Sequence, residues 1–89
     1  MDMDLKMTEK FMESTDYKER FIGEYLQTKI RYEKLKRLNN KIEAAEMTNY
    51  NVNEPKHECP SYLLKEQQRT MGEYLHILEI RAVIEGIEL

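Results

Sequence analysis

Between Tyr17 and Ala45 the chain reads YKERFIGEYLQTKIRYEKLKRLNNKIEAA, without proline and with one glycine. Phe21, Tyr25, Tyr32, Leu35 and Ile42 recur at helical spacing, with Thr28 filling the gap in the row. Steps of four and three residues keep one stripe of a helix facing a partner. A second row of Ile22, Leu26, Leu38 and Ala45 widens that face. Ser14, Thr15 and Asp16 are N-cap formers, and Asp16 stands three residues before Glu19, the capping-box offset. The pattern predicts a long helix over 15–46. Gly23 lies in its second turn, where glycine costs about 1 kcal/mol relative to alanine. A neighbouring helix, a ligand or a kink would each explain a glycine kept at that cost, close helix packing being the plainer reading.

After Met47 the periodicity stops. Residues 47–59 read as a linker, because Asn49, Asn51 and Asn53 favour turns and Pro55 ends any helix. Tyr50 and Val52 are expected to pack back on the helices. Pro60 suits the opening turn of a second helix over 60–86, since its missing N–H needs no partner there. On that helix Leu64, Gln67, Met71, Tyr74, Leu75, Leu78 and Ala82 share one face. Ile77, Ile80, Ile84 and Ile87 continue around it, more apolar circumference than one partner helix covers. Another subunit is expected there. Gly86 fits a C-cap, and Ile87 and Leu89 would then trail into an apolar groove. At the other end, residues 1–13 form an N-terminal extension with two readings: disorder up to Ser14, or a short helix capped by Thr8 and carrying Phe11 and Met12. The fold class expected is all-α: an antiparallel two-helix hairpin in a single domain, 1–89, assembling into a helical oligomer.

Composition narrows the function. Eighty-nine residues bury a modest core, and 35% of them are charged. The net charge of −3 argues against a general nucleic-acid binder. One cysteine, Cys59, fits a reducing compartment, and at a helix start it reads as a small buried hydrophobe. The N-terminus has acids where a signal peptide needs bases, and no apolar run approaches a bilayer span of about 20 residues. A cytoplasmic protein without membrane contact is expected. His57 and Cys59 on one loop, with His76 far away, fall short of a zinc site. There is no glycine-rich phosphate loop and no hydrolase motif, so neither an enzyme nor a cofactor is expected.

Charge is distributed unevenly. Residues 29–41 carry Lys29, Arg31, Lys34, Lys36, Arg37 and Lys41 against Glu33 alone, a net +5, which leaves −8 for the rest. Tyr17, Tyr25 and Tyr32 interleave aromatic surface with this basic run. Bases neutralise phosphate and aromatic faces stack on nucleobases. The plainer reading is a solvated face whose bases pair with acids of the second helix.

An opening Tyr-x-x-Arg at Tyr17 and Arg20, then Glu24, leads into a basic helix ending at Ile42. After the linker come Leu63-Leu64, Gln67, Met71, Tyr74, Ile77-Leu78 and Arg81. This arrangement, covering about seventy residues, resembles the phage anti-CBASS sponge family. The resemblance implies all-α hairpins assembled as compact hexamers. It further implies capture of cyclic dinucleotides, in some members cyclic trinucleotides, in pockets between subunits without chemistry on them. Sequestering the messenger keeps a host immune effector inactive. The family's pocket tyrosine matches Tyr17, in the Tyr-x-x-Arg that includes Arg20. Its basic residue falls within Arg31 to Lys34, and Arg81 matches an arginine of a second pocket. A symmetric interface offering paired tyrosines and paired bases would suit a ligand with two phosphates and two flat bases. The alternative kept open is a structural or adaptor hairpin that binds a protein partner.

Overall fold

Asp16 starts the long helix as its chemistry dictates: its backbone is extended and its carboxylate accepts from Lys18 N–H at 2.9 Å. The reciprocal half of the cap departs from expectation. The Ser14 hydroxyl, not Glu19, accepts from Asp16 N–H at 3.0 Å. The computed structural model describes residues 5–51 and 53–89, among which there are three α-helices and no strand. These are α1 (Leu5–Glu13), α2 (Tyr17–Met47) and α3 (Ser61–Glu85). The all-α class follows.

Helix α1 realises the helical reading of the N-terminal extension as far as it is described, but Thr8 does not cap it. Thr8 is fully buried, and its hydroxyl donates to the Leu5 carbonyl at 2.6 Å. Gly23 is where α1 lands on α2. A Cβ there would stand 2.8 Å from Phe11 Cβ and 3.0 Å from the Met12 nitrogen. Only a residue without a side chain permits that approach.

Helix α3 pairs with α2 in opposing chain order. Tyr17 bonds Glu85, Tyr25 bonds Glu79 at 2.6 Å, and Asn39 reaches the Leu64 carbonyl at 3.1 Å and Gln68 at 2.8 Å. Rising numbers on α2 thus meet falling numbers on α3. Between them Phe21, Tyr25, Leu75, Leu78, Ala82 and Ile87 form the core, flanked by Ile22, Leu26 and Tyr32. Tyr32 lies on Gly72, 3.2 Å from where a Cβ would stand. Asn39 is a buried polar residue in the same seam, and its Oδ1 has no partner among the described residues.

Gly86 ends α3 as expected, at φ 70°, with Ile87 N–H bonded to the Ala82 carbonyl at 2.8 Å and Gly86 N–H to that of Val83 at 3.4 Å. This paired closure is the Schellman arrangement. It folds Ile87 back into the protomer's own core, so Ile87 does not belong to the apolar surplus. Ile77, Ile80 and Ile84 do, joined by Val83, which is 83% exposed.

Several local expectations give way. Pro60 sits one place outside α3, as its cap, and Cys59 before it is exposed rather than buried. The Pro60 carbonyl accepts from Leu63 and Leu64 N–H at 3.1 and 3.2 Å, and no side chain caps the start of α3 among the described residues. Tyr50 is exposed at φ 66°, because the turn closing α2 drives it into the left-handed region and away from the helices. Val52 lies outside the described residues. His57 staples the linker: Nδ1–H donates to the Cys59 carbonyl at 2.7 Å and Nε2 faces Glu54 at 3.0 Å. With acceptors on both nitrogens, Glu54 foremost, its pKa is raised.

Candidate functional site

Positions 17, 24, 28 and 31 recur on one stripe of α2, and 67, 71, 74, 81 and 85 recur on one stripe of α3. The two stripes meet along a single edge of the helix pair and carry two clusters.

The first cluster is an open cleft of about 390 Å³ lined by Glu24, Thr28, Arg31, Gln67, Met71 and Tyr74. Tyr74 donates from its hydroxyl to Glu24 Oε1 at 3.2 Å, and Thr28 donates to the same oxygen at 3.3 Å. Burial and the Glu24 carboxylate raise the Tyr74 pKa, so the phenol stays a neutral donor. Arg31 lines the cleft, is exposed, and forms no ion pair or hydrogen bond among the described residues.

The second cluster closes the helix ends. Tyr17 donates to Glu85 at 2.8 Å, Arg81 donates to the Tyr17 hydroxyl at 2.8 Å, and Arg81 Nε donates to Glu85 at 3.2 Å. The guanidinium also lies 5.0 Å over the Phe21 ring. The Tyr17 pKa is raised, chiefly because its hydroxyl is held by the Glu85 carboxylate.

The five residues singled out from the sequence therefore scatter. Tyr17 and Arg81 touch each other. Arg31 lines the cleft. Arg20 turns back to the start of α2, donating to the carbonyls of Ser14 and Thr15 at 3.3 and 3.1 Å. Lys34 is exposed and without a polar partner among the described residues. The aromatic surface expected of Tyr25 and Tyr32 is also corrected. Tyr25 is 5% exposed with its hydroxyl on Glu79, and Tyr32 packs on Gly72, because both belong to the apolar stripe that the core claims. The aromatic ring at the cleft is Tyr74, 40% exposed. Sequence reasoning placed it with Gln67 and Met71 on the buried face, and missed Glu24 and Thr28 as cleft residues. The signal available was the heptad step from Glu24 to Arg31.

The pairing of α2 bases with α3 acids is absent among the described residues. Glu66 and Glu73 bind Arg69, and Glu85 binds Arg81, all within α3. Of the six bases in 29–41, only Lys29 has a partner among the described residues: its Nζ lies 5.6 Å from the Tyr25 ring centroid and 3.5 Å from the hydroxyl. The excess positive charge stays facing water.

No described helix is long and apolar enough to cross a membrane. Among the described residues no group of three His, Cys, Asp or Glu side chains is placed to hold a metal ion. What the fold and site define is a small all-helical protein with an open, arginine-bearing cleft between two helices. The family model described as Sequestin matches residues 15–84. The chain belongs to the Sequestin family, and α1 lies outside the matched segment. No curated protein and no solved structure matches it.

Proposed function

We propose that this protein captures cyclic oligonucleotide second messengers and holds them uncleaved, within an oligomer of antiparallel two-helix protomers. Encoded by a phage, such a sponge would deny a messenger-gated host immune effector its ligand in the cytoplasm. The observation that carries the reading is the Sequestin match over 15–84, a name that denotes capture, across the segment that holds the cleft.

The geometry supports it in two ways. Arg31 has no ion pair among the described residues and would meet a phosphate, where a charge-assisted contact is stronger than one between neutral groups. The Tyr74 ring, exposed in the same cleft, offers a face for a base. Release of intact messenger needs only reversible binding, and capture competes by mass action. The exposed run Ile77, Ile80, Val83 and Ile84 gives the protomer an apolar face for a second copy. The same run favours the adaptor reading if a different protein covers it.

Calorimetric titration with cyclic di- and trinucleotides tests the proposal, with linear dinucleotides and duplex DNA as controls. Cyclic ligands alone should bind, and they should be recovered chemically unchanged. Arg31→Ala should weaken binding about tenfold or more and flatten its salt dependence, while Lys34→Ala, outside the cleft, should do less. Absence of binding by every nucleotide would overturn the proposal in favour of the adaptor.

A further inference from the structure

We infer that the linker between α2 and α3 is latched by a proton: it is held in one turn while His57 carries protons on both ring nitrogens, and it opens when the ring becomes neutral. The latch is independent of the nucleotide-binding reading. Among the described residues, none of 53–59 takes part in a backbone–backbone hydrogen bond. Pro55 has no N–H to give. The hydrogen bonds of this stretch, among the described residues, all come from the His57 ring. Nδ1 lies 2.7 Å from the Cys59 carbonyl and Nε2 lies 3.0 Å from Glu54 Oε1, which ties residues 54–59 together ahead of Pro60. The His57 side chain is 19% exposed and that of Glu54 32%, so the pair is partly withdrawn from water.

Both partners of the ring are acceptors. A backbone carbonyl has no proton to offer, and neither does an ionised carboxylate. A neutral imidazole carries one N–H, so it can serve one of the two and must turn a lone pair toward the other. Only the imidazolium satisfies both contacts at once. From α2 the Glu46 carboxylate also favours the charged ring. Burial opposes the charge, but Glu54 and the Cys59 carbonyl outweigh it and raise the pKa. The sign of the pH dependence follows. The latch is fully closed below pH 6.5, the ordinary imidazole value, and opens as pH rises through the higher value of the folded chain. Its opening frees the exposed Lys56 and Cys59 backbone while leaving the helix seam, set by Asn39 and the apolar core, in place.

A lysine-specific endoprotease reads the latch in the full chain, with cleavage after Lys56 followed by mass spectrometry. Wild type and His57→Gln are compared at about pH 5.5 and at about pH 9, on either side of the imidazole titration. Comparing the two chains at one pH cancels the protease's own pH dependence. At the lower pH His57→Gln should be cut several-fold faster than wild type, and at the higher pH the two rates should converge. Glu54→Gln removes the carboxylate that calls for the second proton and should be cut as His57→Gln is. Nitrogen-15 NMR of the wild type should show both His57 ring nitrogens protonated at the lower pH. The His57 midpoint should be higher in the folded chain than in urea. Equal cleavage of wild type and His57→Gln at the lower pH would overturn the inference, and so would protection of the wild type that persists at the higher pH. A His57 midpoint unchanged by urea would overturn it without recourse to any variant.

Discussion

The Tyr17 hydroxyl donates to the Glu85 carboxylate at 2.8 Å, joining the first residue of α2 to the last residue of α3. Arg81 bonds both partners and rests on Phe21, so the three side chains act as a clasp on the ends of the pair. Tyr17→Phe keeps the ring and removes the clasp. It should lower the melting temperature of the ligand-free protein by a few degrees and speed amide exchange at residues 81–87. The difference should shrink in high salt, because the contacts are charged and exposed. Identical melting curves at low salt would refute the clasp.

Gly23→Ala sets two effects against each other. Alanine favours the helix by about 1 kcal/mol. Its Cβ, however, would meet Phe11 Cβ at 2.8 Å and the Met12 backbone at 3.0 Å, and overpacking of that kind costs about 1–3 kcal/mol. Backbone at the contact cannot rotate aside, so the clash should win. The expected result is loss of exchange protection in residues 5–13 with α2 and α3 still formed. A variant more stable than wild type, with α1 protected, would show that the helices slide apart freely.

Ile84 is 76% exposed in the protomer. Ile84→Glu should therefore leave the protomer's secondary structure and internal packing intact. If the apolar run of α3 meets a second copy, a charge there enters a desolvated contact and should disperse the assembly. Light scattering should report an oligomer for the wild type, a hexamer by family resemblance, and one chain for the variant. A wild-type mass of one chain would end the oligomer proposal.

Burial first, then the Glu79 carboxylate, pushes the Tyr25 pKa up to about 12 from an ordinary 10. Folding favours the neutral phenol, so this contribution is fully present below pH 10 and is lost as pH rises toward 12. Urea melts between pH 9 and 12 should show a falling midpoint over that window. Tyr25→Phe should start lower, having lost the 2.6 Å bond to Glu79, and fall less steeply. Parallel slopes would contradict the assignment.

Much of the fold is written locally. Asp16 and Gly86 mark the outer ends of the helix pair because capping depends on a few adjacent residues, and the α2 stripe announces itself by spacing. Gly23 signals a neighbour but does not identify it as α1, because Thr8 has the residue type of a cap and only the folded structure shows it buried. The cleft was half legible. Arg31 stood out by charge, whereas Tyr74, Gln67 and Met71 sit at the margin of a buried stripe, where periodicity does not separate core from rim. Glu24 gave no charge signal in an acidic chain. Its place in the cleft wall shows only when Thr28 and Tyr74, one turn away and fifty residues away, are seen on the same oxygen.

Asn39 Nδ2 donates to both the Leu64 carbonyl and Gln68 from within the apolar seam, and a buried donor meets its acceptors in only one alignment of two helices. Sliding α3 by a turn would strand that amide without acceptors, at a cost of about 1–3 kcal/mol. The alignment is thereby set inside the seam rather than by the chain that joins the helices. Insertions and deletions between Thr48 and Pro60 are then free to accumulate without shifting Arg31 against Tyr74. The linker is where this architecture tolerates variation in length, and the cleft is insulated from it.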